Sequence, residues 1–220
     1  ILLYGKLDEL GNRWEELLPY VLDYEDSADD FDKPFIASAL RNFYLRDEPL
    51  TLKNIHNLLR LFTDRFFIVD ALKAVCLHSA VAQSPVYYYY FDYLIDMPIV
   101  YKANLSVVSH GDDFRMLFRQ YDNAPVLSES DRKMKNIFLD FIYRYASTGI
   151  PDFKGVTWKP FNAPFEGVSY MHITSPTLIR RSKEINPEPL QFWHNLPIKE
   201  NEKSFTFAIN YEQFLPWTYY

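Results

Sequence analysis

His110 stands in the run Asn104-Leu105-Ser106-Val107-Val108-Ser109-His110-Gly111-Asp112-Asp113-Phe114, with a glycine and two carboxylates directly behind it. An imidazole can take and return a proton under mild conditions, and a loop tip lets the ring be aimed at a site built by other segments. General acid–base catalysis is therefore the chemistry this stretch could perform. A lone histidine ahead of a helix can equally be a cap neighbour or a surface residue, and the spacing alone does not decide between them. The competing chemistry is a cation held by His110, Asp112 and Asp113. Adjacent carboxylates point apart, however, and Asp112 or Asp113 fits better as the cap of the following helix, near its positive end. No metal is expected, since the chain has no H-E-x-x-H motif and no Cys/His cluster. No cofactor is expected either: with 6 glycines there is no Gly-rich phosphate loop.

The other reactive residues read as structural. His56 and His78 fall within helical patterns that offer them no partner. Cys76, the one cysteine, lies in an apolar helical run and reads as a buried, inert thiol. The acidic stretch from Glu25 to Asp32 reads as a solvated connection. Asn104-Leu105-Ser106 is an N-glycosylation sequon and points to a secretory, extracellular route.

The elements that must position His110 follow from periodicity. Trp14, Leu17, Leu18, Val21 and Leu22 recur at helical spacing, interrupted by Pro19. A helix over 34–46 starts at Pro34. Another, over 50–61, is capped by Thr51, with Ile55, Leu58, Leu59 and Phe62 on one face. Asp64 opens a longer helix through Phe67, Val69, Leu72, Val75, Cys76 and Ala80. Residues 85–91, Pro-Val-Tyr-Tyr-Tyr-Tyr-Phe, form the strongest strand, apolar or aromatic at nearly every position and so suited to burial on both faces. Helix 112–118 follows His110. Ser128 caps a long helix that ends at Gly149-Ile150-Pro151. A short strand lies at 168–173 and a helix near 189–196. Helices before and after a two-sided strand give an α/β layer architecture, in which sites lie beyond the C-terminal ends of strands. His110 comes after the strand, on that side.

Bulk properties limit the partners. The net charge is −6 with no basic block, which argues against nucleic acid or an anionic membrane surface. No run approaches the ~20 apolar residues of a membrane span. Aromatics make up 18% of the chain, a composition suited to a packed core rather than disorder. The start, Ile1-Leu2-Leu3-Tyr4, lacks an initiator methionine and a signal pattern and reads as a cut through an apolar element of a longer chain.

Taken in order, these landmarks resemble the C-terminal third of type-B carboxylesterases, the cholinesterase-like branch of the α/β-hydrolase fold, with the insect members closest in style. The resemblance runs through the aromatic strand 85–91, the loop Val108-Ser109-His110-Gly111-Asp112-Asp113-Phe114, Leu117-Phe118, Asp131, Met134, Thr148-Gly149-Ile150-Pro151, Trp158, Tyr170-Met171-His172-Ile173 and Phe192-Trp193. It implies that residues 1–220 are the C-terminal, helix-rich part of one α/β-hydrolase domain with a mostly parallel central sheet. It further implies a Ser-Glu/Asp-His triad acting on a small carboxylic ester through an acyl-enzyme, with the histidine at His110. In this fold the order is nucleophile, acid, histidine. No G-x-S-x-G elbow occurs here, so the serine and the oxyanion-hole glycines are expected upstream of Ile1. The acid is expected just upstream as well, with Asp8 and Glu9 as fallback candidates. The segment by itself is then expected to be inactive. Two features depart from the family pattern: Val107 stands where the family has glycine, and the linker 92–104 is short. The alternative reading is an inactive, cholinesterase-like adhesion module, which could keep a histidine without the rest of the triad. Oligomeric state and the identity of the ester are not encoded in any pattern here.

Overall fold

The computed structural model describes residues 6–96, 106–118, 127–153, 155–161, 169–182 and 188–202. The chain divides into two compact units, one made of residues 1–77 and 186–220 and the other of residues 78–185. The apolar start Ile1-Leu2-Leu3-Tyr4 and the sequon asparagine Asn104 lie outside the described residues.

The first unit is helical. Its elements are α1 (Leu7–Asn12), α2 (Trp14–Val21), α3 (Lys33–Leu40), α4 (Ile55–Thr63), the start of α5 (Val69–Val81), α8 (Glu188–His194) and α9 (Lys199–Glu202). Pro19 sits inside α2, which nevertheless continues two residues past it. Leu18, Leu22, Ile36, Leu40, Leu58 and Leu61 are fully buried, as helical spacing requires of one shared core. Trp14 adds a polar tie across that core, donating Nε1–H to the Ala37 carbonyl at 2.8 Å. Thr51 caps the turn ahead of α4: its Oγ1 accepts from the Lys53 amide at 3.3 Å, and Asn54 Oδ1 accepts from the Thr51 amide at 2.8 Å.

Two helices here are wound wider than the periodicity predicts. α3 runs on as a π-helical turn over Arg41–Leu45, and α4 joins α5 through another over Asp64–Ile68. Asp64 therefore does not open a helix. It sits within a continuous one, buried, and accepts the Tyr44 hydroxyl at 3.0 Å. Tyr44 in turn accepts Trp193 Nε1–H at 2.8 Å. Burial raises the Asp64 carboxyl above the ordinary carboxylate range, with the Tyr44 bond and Arg60 opposing the shift. The carboxylate was spent on a tertiary partner, not on a helix end. Nearby, Arg65 donates to the Leu22 and Asp23 carbonyls at 2.9 and 3.0 Å and pairs with Glu200 at 2.6 Å.

The second unit carries the sheet. Strands β1 (Tyr89–Phe91), β4 (Tyr170–Ser175) and β5 (Leu178–Ser182) pair in the order β1-β4-β5. β1 runs parallel to β4 with Tyr90 opposite His172, and β4 turns back into β5 antiparallel. A small hairpin, β2 (Asp152–Phe153) and β3 (Val156–Thr157), turns at Gly155, whose φ of +77° favours glycine. The long helix α7 (Glu129–Thr148) begins at Ser128, whose Oγ accepts the Asp131 amide at 3.0 Å, and ends at Gly149 in the left-handed conformation. Its face of Met134, Phe138 and Phe141 packs with Phe153, Trp158, Met171 and Ile173. Tyr89 and Phe91 close on that core from the strand.

The strand expected over 85–91 is shorter and less buried than its composition implies. Only Tyr89–Phe91 forms ladder pairs, and these three residues are half-buried. The stretch before it still spends its carbonyls, Val86 on the Phe161 amide at 2.7 Å and Tyr88 on the Met171 amide at 2.9 Å. Tyrosine explains the difference from an aliphatic strand: alternate rings face the core, while Tyr90 stands beside Tyr170 and His172 on the other side. The strand expected at 168–173 occupies Tyr170–Ser175 instead, and β5 was not anticipated.

Candidate active site

His110 is exposed at the tip of an extended segment, immediately before α6 (Asp112–Leu117). Gly111 is the helix N-cap and has φ of +82°. A side chain at Gly111 would meet open space, so the glycine answers a backbone demand and not a packing one. Neither aspartate caps α6 in the ordinary way, contrary to the expectation from sequence. Asp112 lies inside the first turn and folds back: its Oδ2 accepts the Ser109 amide at 2.8 Å, while the Asp112 amide donates to the Ser109 carbonyl at 3.1 Å. These two bonds close a ring around His110 and Gly111. The Asp112 carboxylate is wholly buried, and Arg115 Nη1 approaches its Oδ1 at 3.5 Å. Burial raises the Asp112 carboxyl above the usual range, with the Ser109 amide and Arg115 opposing.

Asp113 points elsewhere, as adjacent carboxylates on a helix must. Its Oδ2 accepts the Tyr89 hydroxyl at 2.9 Å and its Oδ1 accepts the Phe114 amide at 2.8 Å. Burial, and then the charge of Asp113, push the ionisation of the Tyr89 hydroxyl upward, so the phenol stays a donor. The link from Asp113 to strand β1 was not legible in the sequence, because nothing local marks a contact 24 residues away.

The remaining sequence candidates do other things. Asp8 is exposed on α1, and Glu9 pairs with Lys6 at 2.7 Å and Arg13 at 2.9 Å. The Lys6 hydrogen bond, ahead of the other contributions, lowers the Glu9 carboxyl. Both belong to the first unit, whereas His110 belongs to the second. His56, His78 and His194 are exposed. His172, on β4, meets Asp92 Oδ2 at 3.0 Å. Cys76 is buried, and burial pushes its thiol up to about 11. Among the described residues no three His, Cys, Asp or Glu side chains converge as metal ligands, and no helix is long and apolar enough to cross a membrane.

A sequence model of the carboxylesterase family matches residues 7–193, a span that includes the His110 turn and most of both units. The chain belongs to the carboxylesterase family. Family members similar to it include venom carboxylesterase-6 of Apis mellifera, 27% identical over 88% of this chain and 35% of the relative. A carboxylic ester hydrolase of Bombus ignitus is 29% identical over 90% of this chain and 36% of the relative. Esterase FE4 of Myzus persicae is 30% identical over 68% of this chain and 28% of the relative. The chain thus spans about a third of the length of the first two carboxylesterase relatives. Juvenile hormone esterase from Manduca sexta, solved with OTFP covalently attached, superimposes with a TM-score of 0.70 over 89% of this chain and 38% of that one, at 18% identity. At that identity the likeness is one of fold. The chain carries part of an α/β-hydrolase fold, and its affinities are to insect carboxylesterases.

Proposed function

We propose that this chain is the C-terminal part of a single serine carboxylesterase domain and that His110 is its acid–base histidine. One observation carries the reading: an exposed imidazole at the tip of a turn whose ring is closed by the buried Asp112, in a chain of the carboxylesterase family. The nucleophilic serine, its acidic partner and the oxyanion-hole donors belong to the part of the family's length that this chain does not span. In the reaction, His110 takes the proton of the serine hydroxyl as the oxygen attacks the ester carbonyl. The carbonyl π bond opens to an oxyanion. As it re-forms, the alkoxide leaves with the proton from His110, and the serine is left acylated. Water then repeats the sequence on the acyl-enzyme, again losing its proton to His110, and releases the acid. The substrate is a small-molecule carboxylic ester. The Asn104 sequon supports a secreted protein, in keeping with a relative named for venom.

The test is His110→Ala in the complete protein. Loss of a triad member lowers kcat on the order of 10⁴-fold. His78→Ala and His194→Ala, on exposed helical positions, are expected to change it little. Equal losses at all three positions would refute the assignment.

A further inference from the structure

The two aspartates behind His110 are held by different parts of the second unit. Asp112 closes the turn on itself through the Ser109 amide at 2.8 Å. That bond fixes the internal shape of the turn, but a turn tied only to itself can still rock as a body. Asp113 supplies a second point of attachment, to the hydroxyl of Tyr89 at 2.9 Å. The Tyr89 ring is itself fixed. It packs edge-on against Phe138 and Trp158, with centroids at 5.9 and 6.3 Å. Its backbone lies in the β1–β4 ladder, opposite Met171. The phenol oxygen is therefore at the end of a side chain whose place is set by the core of the unit.

We propose that Tyr89 is a positioning residue for His110, anchoring the catalytic turn to the sheet through Asp113. The proposal rests on reading His110 as the acid–base group. An acid–base ring must be held to a fraction of an ångström of its working place, and a misplacement near 1 Å can cost about 10²-fold in rate. Two residues separate His110 from Asp113, so movement of the carboxylate is passed to the imidazole with little slack. Gly111, with φ of +82°, is the one flexible joint between them, and the Asp112 ring spans it.

Tyr89→Phe keeps the ring and deletes one oxygen. In the complete protein it is expected to lower kcat by about 10- to 100-fold and to leave KM within about twofold. Asp113→Ala, which also frees the Phe114 amide, is expected to lose at least as much, and the double variant no more than Asp113→Ala, because the Tyr89–Asp113 bond is lost only once. Asp113→Asn keeps an accepting oxygen and is expected to recover most of the rate. Tyr44→Phe, in the first unit, removes stability without touching the bond or the core that holds Tyr89, so it lowers the melting temperature and leaves kcat unchanged. Hydrogen exchange of the amides of residues 109–113 and 115, leaving out Phe114 because its amide donates to Asp113 itself, gives a reading that needs no activity: faster in Tyr89→Phe and Asp113→Ala, unchanged in Asp113→Asn. Unaltered kcat and exchange in Tyr89→Phe, or additive losses in the double variant, would overturn the proposal. If His110→Ala keeps full activity, the esterase reading falls and takes the catalytic role of Tyr89 with it, whatever the exchange shows. If His110→Ala is inactive and Tyr89→Phe is not, only the anchoring is wrong.

Discussion

Tyr44→Phe removes one oxygen from the first unit and strands two buried groups at once. Trp193 Nε1–H loses its acceptor at 2.8 Å, and the Asp64 carboxylate loses its hydroxyl donor at 3.0 Å. Trp193 is 2% exposed and Asp64 6%, so water does not replace what is lost. Leaving a buried neutral donor unpaired costs about 1–3 kcal/mol, and a hydrogen bond to a charged group contributes about 1.5–3 kcal/mol. The ring itself stays packed, so no cavity cost is added. Since both bonds share one oxygen, the two costs overlap, and about 3 kcal/mol of destabilisation at neutral pH is expected. The pH dependence has a definite sign. Burial raises the folded-state Asp64 carboxyl above its unfolded value. Such a group contributes stability that is full below the unfolded pKa and is lost as pH rises through the folded one. The Tyr44 bond opposes the shift, so Tyr44→Phe raises the carboxyl further and widens the loss. The destabilisation should accordingly be larger at pH 7 than near pH 4. Tyr24→Phe is the contrasting case: the Tyr24 hydroxyl is buried with no hydrogen-bond partner among the described residues, and its removal should be neutral or stabilising. Urea unfolding of the complete protein at the two pH values decides the matter. A Tyr44→Phe cost under about 0.5 kcal/mol, or one that is flat with pH, would refute the reasoning.

Other outcomes follow from the same structure. On the proposed mechanism the kcat/KM of the complete protein should fall on acidification, because a histidine base must be neutral to accept the serine proton; a profile flat down to about pH 4 with the protein still folded would exclude His110 as the base. Cys76, its thiol pushed up to about 11 by burial, should resist a disulfide reagent at neutral pH in the native protein and react promptly in urea. The 220-residue chain expressed alone should not hydrolyse p-nitrophenyl acetate above a denatured control, since no G-x-S-x-G elbow occurs in it; robust turnover, lost on changing a serine within it, would contradict the triad reading.

The turn that carries His110 was legible in part: which residue is the N-cap was misread, since Gly111 takes that place and Asp112 folds back on Ser109, but the glycine and the acidic pair mark a helix start locally. Ser128 and Gly149 were legible for the same reason, since a cap is a contact between near neighbours. Reading failed where one residue type serves two ends. Asp64 carries the mark of a helix start, yet it is buried against Tyr44, 20 residues back, and local pattern cannot separate the two uses. Tyr89–Asp113 escaped for want of any neighbouring signal. β5 was overlooked because Arg180 and Arg181 give it the look of a solvated segment, although Ser175-Pro176-Thr177 ahead of it is turn-like.

The two π-helical turns, Arg41–Leu45 and Asp64–Ile68, bear on how this chain can change length over time. A π turn accommodates an extra residue without turning the flanking helix off its face, so removing that residue restores ordinary winding and leaves what lies beyond the turn on the same side. Tyr44 lies in one such turn and Asp64 in the other, and they meet across the hydrogen bond at 3.0 Å. A single deletion within either turn would take away the widened winding that presents the tyrosine or the aspartate to its partner. Among relatives, gaps at these two places should therefore be rare, and where one turn has been straightened the tyrosine–aspartate pair should be absent too. Helix interiors elsewhere in the unit exclude deletions because they would scramble a buried face; here a deletion would improve the helix and still be rejected.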